Sequence, residues 1–221
     1  NHHVIVTTTS PEKVQMLKVI SAEVHLLDFS KNFNATFLDA VEIAIFSMPV
    51  SRNSWFDGFL KLKASFSKTF FFSSTGIYPL QDGLYTERKT ENLREDIVAT
   101  ENLVKTKYPE TIILRLGGLM GDDRSLHHFY ADRQPPEPEK KANYIHFEDI
   151  SAMVEILLTA ENKNKVYNIV APEHPTIAEV LDINKQQNES TLNENSGRII
   201  SSKLFIKEFN YKFIHPNPQY F

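Results

Sequence analysis

The stretch Lys68–Tyr78 reads Lys-Thr-Phe-Phe-Phe-Ser-Ser-Thr-Gly-Ile-Tyr. Its three consecutive phenylalanines predict a strand over Lys68–Ser73 that is buried on both faces, because a strand with one solvated face alternates apolar and polar residues. Small hydroxyl residues and a glycine follow the strand at once. In open α/β sheets, ligands bind beyond the carboxyl ends of the strands. The stretch therefore predicts a strand of an α/β sheet with a binding edge at Ser73 and Ser74.

Five further strands of this kind are predicted on either side of that stretch. They are short and nearly continuous apolar runs: His3–Thr7, Glu23–Leu27, Val41–Ser47, Thr111–Leu116 and Val166–Val170. Helix-length segments with apolar residues three and four positions apart lie between them, the clearest being Glu91–Lys107 and His146–Ala160. A first helix is predicted to begin with Ser10 as N-cap and Pro11 at the first helical position, and to end near Val19. Strands that alternate with helices indicate a parallel sheet of right-handed β-α-β units.

The composition excludes several classes of protein. A net charge of −4 argues against a nucleic-acid-binding protein, which carries a basic face. No apolar run is long enough to cross a membrane. The absence of cysteine excludes disulfides and thiolate chemistry and fits a reducing, cytoplasmic location. The pairs His2-His3 and His127-His128 lack partners at metal-ligand spacing, so no metal site is predicted.

Four motifs, in order along the chain, carry a family resemblance. They are Ser73-Ser-Thr-Gly-Ile-Tyr78, Leu114-Arg-Leu-Gly-Gly-Leu-Met-Gly121, Asn143-Tyr-Ile-His-Phe-Glu-Asp-Ile150 and Val166-Tyr-Asn-Ile169. Together they resemble the signatures of the extended short-chain dehydrogenases/reductases, the NAD-dependent epimerase/dehydratase family, and most of all an atypical, poorly characterised subgroup of it. The motifs span residues 69–170, and the strand order extends the likeness to residues 3–170. The resemblance implies a protein that binds NADP or NAD.

The resemblance and the strand pattern together predict an α/β, doubly wound parallel sheet of the Rossmann type with a small C-terminal lobe. Residues 1–120 are predicted to form an NAD(P)-binding domain that is incomplete at its N-terminus. Residues 121–221 are predicted to form a mixed α/β substrate lobe, of which residues 143–170 pack back on the sheet. Within that part of the chain, the polar and proline-rich segment Asp122–Lys141 is predicted to form a loop or a lobe. A short helix is predicted over Thr176–Asn184, and a strand followed by a helix over Arg198–Phe209.

The glycine-rich phosphate loop of such a domain is absent from the sequence. Seven glycines in 221 residues are about half the usual share, and no Gly-x-Gly-x-x-Gly motif opens a helix. The run Gly117-Gly118-x-x-Gly121 follows a strand, but the polar segment Asp122–Arg124 comes next instead of an amphipathic helix. We expect the family's first strand and its glycine loop to precede residue 1 in the full gene product.

Residues at the carboxyl ends of the predicted strands are the candidate cofactor contacts. Most of them are small or hydroxylated: Thr7, Thr8, Thr9, Asp28, Phe29, Ser47, Met48, Pro49, Ser73, Gly117, Gly118 and Leu119. The alternative is that small residues end the strands of any α/β domain, whatever it binds. No acidic residue follows the first strand until Glu12, so nothing there repels a 2′-phosphate, and NADP is slightly favoured over NAD.

The resemblance implies Ser74 as the catalytic candidate, four residues before Tyr78. Its hydroxyl would donate to a substrate oxygen and position the substrate, whereas the alternative is a hydroxyl that only caps a turn. The family's base is a tyrosine whose pKa is lowered by a lysine four residues on, and this pair belongs on the helix Glu91–Lys107. When Glu101 is aligned with the glutamate that usually follows this pair in the family, Leu93 and Ile97 occupy the positions of the tyrosine and the lysine.

No other pair of residues in the sequence convincingly replaces the missing tyrosine and lysine. Tyr85-x-x-x-Lys89 has the required spacing, but it lies in the loop before that helix and too near Ser74. His146 and Asp149 open a helix, where a structural role is the simpler interpretation.

Two functions remain open from the sequence. The first is an NAD(P)-dependent epimerase, dehydratase or reductase that acts on a sugar nucleotide or a related hydroxyl or keto substrate. The second is a non-catalytic NAD(P)-binding sensor or regulatory module, which the apolar Leu93 and Ile97 favour because they cannot move protons. The resemblance also implies a homodimer, and neither nucleic acid nor a membrane is expected as a partner.

Overall fold

The computed structural model describes residues 2–183 and 197–221. Within these ranges the strands are β1 (Ile5–Thr8), β2 (Glu23–Leu26), β3 (Ile43–Phe46), β4 (Lys68–Ser74), β5 (Gly83–Tyr85), β6 (Ile112–Leu116), β7 (Gly118–Met120), β8 (Tyr144–His146), β9 (Val166–Ile169) and β10 (Arg198–Ile200). The α-helices are α1 (Lys13–Leu17), α2 (Phe56–Lys61), α3 (Glu95–Lys107), α4 (Leu126–Phe129), α5 (Phe147–Thr159), α6 (Ile177–Val180) and α7 (Lys203–Phe209). Single 3₁₀ turns lie at Thr36–Ala40, Thr75–Ile77 and Pro218–Tyr220.

The central sheet consists of β3, β4, β6 and β9 in that spatial order, all parallel. Its pairing register places Ser74 opposite Leu116 and Leu116 opposite Ile169, so β4, β6 and β9 end along one edge. Every residue of β6 is buried, as expected for an inner strand of a parallel sheet. The predicted α/β fold with a parallel sheet is confirmed.

Helices cover both faces of this sheet, because neighbouring residues of a strand point to opposite sides. Phe70 of β4 packs in one core with Met153 of α5. The next residue, Phe71, packs in a second core with Phe59 of α2 and Val104 of α3. All five side chains are fully buried, and a large apolar side chain contributes about 1.5–3 kcal/mol when it is removed from water. The apolar run of β4 therefore holds the two layers of helices together.

Strands β1 and β2 form a separate parallel pair, in which Thr8 lies opposite Leu26. In the described ranges no ladder connects β1 with β3. Aromatic packing joins the two sheets instead, because the ring of Phe29, just after β2, meets Phe59 of α2 edge-on at 5.6 Å. Phe59 in turn meets Phe46 at the end of β3 at 5.0 Å. The carboxyl end of β2 is thereby held beside the carboxyl end of β3.

Two further pairs of short strands join parts of the chain that lie far apart in sequence. Strand β7 pairs with β8, and β5 pairs with β10, both in parallel. Asn143 joins the two pairs, because its Nδ2 donates to the carbonyl oxygen of Arg198 at 2.8 Å and its Oδ1 accepts from the amide of Ile200 at 2.8 Å. Among the described residues no helix is long and apolar enough to cross a membrane.

The structure corrects two details of the predicted elements. Helix α1 begins at Lys13 rather than at Pro11, because Ser10 donates its amide to Thr8 Oγ1 at 3.2 Å and belongs to the turn after β1. The irregular segment Asp122–Lys141 contains the short helix α4, whose N-terminus is capped by Ser125. The short helix predicted over Thr176–Asn184 is α6, and Asn184 lies outside the described residues.

Candidate functional site

The candidate site is the edge at which the parallel strands end. Ser47 and Pro49, which follow β3, are exposed, and Met48 between them is half-buried. Ser74, at the end of β4, is half-buried as well, and so is Gly117 after β6. This edge therefore presents small polar and apolar surface along neighbouring strands, as a flat ligand requires. The structure brings these predicted residues together on one edge, while their contact with a cofactor stays a prediction.

Ser74 has the geometry of both of its predicted roles. Its Oγ accepts a hydrogen bond from the amide of Gly76 at 3.0 Å and so caps the 3₁₀ turn Thr75–Ile77. The hydroxyl proton is not used by that contact, and a serine hydroxyl donates and accepts at once. Ser74 is therefore held in a fixed position with a donor still available for a ligand oxygen.

Ser73 points in the opposite direction, into the protein. It is buried, and its Oγ donates to Glu101 Oε1 at 2.6 Å. Only its backbone lies at the predicted cofactor edge.

A buried ion pair joins β6 of the central sheet to helix α3. Arg115 of β6 donates through Nε and Nη2 to the two carboxylate oxygens of Glu101 on α3, at 2.9 and 2.8 Å. Burial alone would lower the pKa of the Arg115 guanidinium, but its bonds to Glu101 outweigh burial and raise that pKa. Both residues are buried, with 6% of their surface exposed. The bidentate pair fixes α3 against the centre of the sheet.

The ion pair continues into a chain of hydrogen bonds. Arg115 Nη1 donates to the Tyr78 hydroxyl at 3.0 Å, and that hydroxyl donates to Asn168 Oδ1 at 2.8 Å. Asn168 Nδ2 donates to the carbonyl of Ser201 at 3.2 Å. Burial raises the pKa of Tyr78, so its phenol remains a donor. Tyr78 has a structural role in this network, which sequence reasoning missed although Arg115 and Asn168 lie in the quoted motifs.

The two helix positions expected for a proton-transferring pair lie in an apolar core. Ile97 has 1% of its surface exposed and packs with Ile77, Tyr78 and Val170, and Leu93 packs against the same cluster. Apart from the phenols of Tyr78 and Tyr85, no described residue of this apolar cluster carries an ionisable side chain. The arrangement stabilises the fold, and neither position can donate or accept a proton.

The pair Tyr85 and Lys89 is not assembled either. The Tyr85 hydroxyl donates to the carbonyl of Gln81 at 2.9 Å, whereas Lys89 Nζ lies 3.8 Å from a carboxylate oxygen of Glu91. The phenol and the ammonium therefore bond to different partners and do not act as a pair.

Packing accounts for the two glycines after β6. A Cβ on Gly117 would lie 2.7 Å from the carbonyl oxygen of Asn143, and one on Gly118 would lie 2.3 Å from the Tyr144 ring. Both positions must be glycine for β7 to lie against β8, whatever ligand is bound. Leu119, which follows the two glycines in β7, is exposed. Their predicted contact with a cofactor remains open, but their small size has a structural cause.

The predicted residues at the ends of β1 and β2 form local turns. Thr8 is half-buried, while Thr7 and Thr9 are exposed. Asp28 accepts hydrogen bonds from the amide and hydroxyl of Ser30 at 2.9 and 2.6 Å, and these bonds, with a smaller effect of Lys31, lower the pKa of Asp28. Asp28 is therefore an ionised carboxylate at this edge.

Glu87 is connected through Asn168 to the hydrogen-bond chain of Arg115 and Tyr78, and its titration provides a test of that chain. Its Oε1 accepts from the amide of Asn168 at 2.8 Å, and burial raises its pKa above the ordinary value of 4.5. A carboxyl group with a raised folded-state pKa stabilises the fold below its unfolded pKa and loses that contribution as the pH rises through its folded pKa. Glutamine keeps the acceptor oxygen without the charge. We therefore expect Glu87→Gln to become more stable relative to the parent chain as the pH rises above the ordinary pKa of glutamate.

Urea unfolding at a series of pH values measures this difference. Glu95→Gln, an exposed replacement on α3, is the control and should show no comparable trend. A stability difference for Glu87→Gln that stays constant or shrinks as the pH rises would contradict the expectation.

With the geometry of the site defined, comparison with solved structures identifies the fold class. A putative NAD-dependent epimerase/dehydratase of Methylobacillus flagellatus matches with a TM-score of 0.68 at 16% identity, over 96% of this chain and 93% of the other. The Bordetella bronchiseptica enzyme WbmG, in complex with NAD and UDP, matches with a TM-score of 0.72 at 12% identity, over 99% and 83%. The human epimerase family protein SDR39U1 with NADPH matches with a TM-score of 0.60 at 13% identity, over 99% and 89%. The chain has the fold of NAD(P)-binding epimerase/dehydratase proteins, so the predicted resemblance is confirmed at the level of the fold.

Sequence comparison adds one named relative. Protein YeeZ of Escherichia coli is 32% identical over 113 residues, which are 48% of this chain. The aligned part covers 41% of the YeeZ length, so the chain spans well under half of that relative in the match. No family model matches the sequence.

Proposed function

We propose that this chain binds NADP or NAD at the carboxyl edge of its parallel sheet and is an epimerase/dehydratase-like protein. The observation that carries the proposal is that Ser47, Ser74 and Gly117 lie at the carboxyl ends of the neighbouring parallel strands β3, β4 and β6, in a fold whose solved relatives hold NAD or NADPH. Doubly wound sheets bind dinucleotides at this edge. The bound cofactor would supply hydride transfer, which protein side chains cannot perform.

The residues proposed to hold the cofactor are those of the strand ends. They are Thr7, Thr8, Thr9, Asp28, Phe29, Ser47, Met48, Pro49, the backbone of Ser73, Gly117, Gly118 and Leu119. The threonines after β1 carry no charge that would repel a 2′-phosphate, which supports NADP beside NAD.

The substrate is proposed to be a sugar nucleotide or a related hydroxyl or keto compound. One solved relative is in complex with UDP as well as NAD. Ser74 would donate to a substrate oxygen and orient it at the strand edge, the role its free hydroxyl proton supports. A homodimer is proposed from the resemblance, and light scattering would detect it.

A second candidate function is a non-catalytic NAD(P)-binding sensor. The burial of Ile97 in an apolar core favours it, because the family's proton-transferring pair has no counterpart there. Cofactor binding is common to both candidates, and turnover separates them.

Titration calorimetry with NADPH and NADH tests the shared part of the proposal. We expect micromolar binding, about −8 kcal/mol, of at least one of them. Ser47→Phe, at an exposed position of the edge, should weaken binding at least tenfold by filling the site. The matched control is Ser65→Phe, at an exposed serine near the amino end of β4, which should leave affinity unchanged. No binding of either nucleotide, or equal loss in both variants, would refute the proposal.

Oxidation of bound NAD(P)H with a panel of keto-sugars then separates the two functions. Turnover supports the enzyme function if Ser74→Ala reduces it without changing the affinity for the cofactor. Tight binding without turnover on any member of the panel supports the sensor.

A further inference from the structure

Two histidines and a glutamate meet at the start of α5. They are His146 at the end of β8, Glu148 in the first turn of α5, and His215 near the C-terminus. One ligand atom from each lies within 4.8 Å of the others. His146 Nδ1 is 3.7 Å and His215 Nε2 is 2.5 Å from Glu148 Oε2, and the two imidazole rings lie 3.8 Å apart between centroids.

The fold holds both histidines in place. His146 has 8% of its surface exposed and stacks on Phe147 at 4.7 Å. His215 is held through its backbone by the buried Asp149, whose two carboxylate oxygens accept the amides of Ile214 at 2.8 Å and His215 at 3.0 Å. A third bond to Asp149, from the Tyr211 hydroxyl at 2.7 Å, fixes the same segment. These bonds fix the backbone of the segment that carries the His215 imidazole.

We propose that His146, Glu148 and His215 form a binding site for a divalent transition-metal ion of the zinc type. Two imidazoles and one carboxylate are a ligand set that Zn²⁺ accepts, and three protein ligands leave a fourth position open to water or a small ligand. Ligand atoms of a tetrahedral ion at about 2.0 Å lie about 3.3 Å from one another. The two distances to Glu148, 2.5 and 3.7 Å, bracket that value. An ion bound at His146 Nδ1 would replace the long hydrogen bond that this atom accepts from the amide of Glu148 at 3.3 Å.

The charges and access at the site fit this proposal. Glu148 offers a carboxylate oxygen and the two histidines offer ring nitrogens, so the ligand set brings negative charge to a divalent cation. Glu148 has half of its side chain exposed, which gives the ion a path from solvent. Calcium and magnesium prefer all-oxygen sites, so the two nitrogens select against them.

Titration of the chelator-treated, untagged chain with Co²⁺ tests the site, because tetrahedral Co²⁺ absorbs visible light. We expect one Co²⁺ per chain, displaced by one Zn²⁺. His215→Ala and Glu148→Gln should each weaken Co²⁺ binding at least tenfold, and both change partly exposed side chains. The matched control is His25→Ala, which also removes a histidine paired with a glutamate, Glu23, at 2.7 Å, and should leave binding unchanged.

Circular dichroism and a thermal melt show whether each variant is folded before binding is compared. If His215→Ala fails to fold, Glu148→Gln decides the outcome. Absence of the Co²⁺ absorption in the parent chain would overturn the proposal. So would binding that is lost in His25→Ala but retained in His215→Ala and Glu148→Gln. The NAD(P)H titration is independent of this experiment, so the two proposals can fail separately.

Discussion

Replacement of Glu101 by alanine is expected to lower the free energy of unfolding by about 3–5 kcal/mol, because it leaves the Arg115 guanidinium buried without its carboxylate. Arg115 keeps only its bond to the Tyr78 hydroxyl at 3.0 Å. Ser73 also loses the acceptor of its 2.6 Å hydrogen bond at the end of β4. Urea unfolding of the parent chain and the variant measures the difference.

Two controls separate the buried charge from a general loss of packing. The double replacement Glu101→Leu with Arg115→Met removes both charges, and we expect it to recover most of the lost stability, since an apolar pair often replaces a buried ion pair at little cost. Glu110→Ala breaks the exposed pair with Lys163 at 2.9 Å and should cost less than about 1 kcal/mol. If Glu101→Ala costs no more than Glu110→Ala, the ion pair does not hold α3 to the sheet.

The sequence predicted the central sheet well, for a physical reason. An inner parallel strand must be apolar on both faces, so runs such as Phe70–Phe72 stand out without any knowledge of their partners. Strands β4, β6 and β9 begin and end within one residue of their predicted bounds. The clear helical period of Glu91–Lys107 predicted α3, which the structure begins at Glu95.

The parts that were missed depend on contacts distant in sequence. Strands β7 and β8 have three residues each, and their pairing is set by the close approach that Gly117 and Gly118 allow. The prediction quoted both glycines in a motif but offered no partner for them. Helix α2 was missed because its six residues are too short for a periodic pattern.

The candidate site shows the same division. The position of Ser74 at a strand end could be predicted from the residues around it, since a strand that ends in hydroxyl residues is a local pattern, whereas its role was implied by the family resemblance and stays a prediction. The proposed metal site could not be predicted, because spacing along the chain was the only criterion and His215 lies far from His146 in sequence. The bonds from Asp149 to the segment of His215 help to bring the two together. Chemistry built from one strand end is visible in sequence, whereas chemistry built across the fold is not.

Replacement of Gly58 by alanine is expected to disturb the junction between the two sheets. A Cβ at this position in α2 would lie 1.9 Å from the carbonyl oxygen of Phe29 and 2.9 Å from its Cα, both rigid backbone atoms. The end of β2 must therefore move away from α2, which costs about 1–3 kcal/mol as overpacking does elsewhere. That cost exceeds the gain of about 1 kcal/mol that alanine gives within a helix.

The same shift would displace Asp28 and Phe29 from the proposed cofactor edge. We therefore expect Gly58→Ala to weaken NAD(P)H binding at least tenfold as well, measured by calorimetry at a temperature where the variant is still folded. Lys61→Ala, at an exposed position of the same helix, should change stability by less than about 0.5 kcal/mol and leave affinity unaltered. A Gly58→Ala chain that is destabilised but binds NAD(P)H normally would show that the cofactor does not depend on the end of β2. In that case the proposed site would be confined to the ends of β3, β4 and β6, because their register does not pass through this junction.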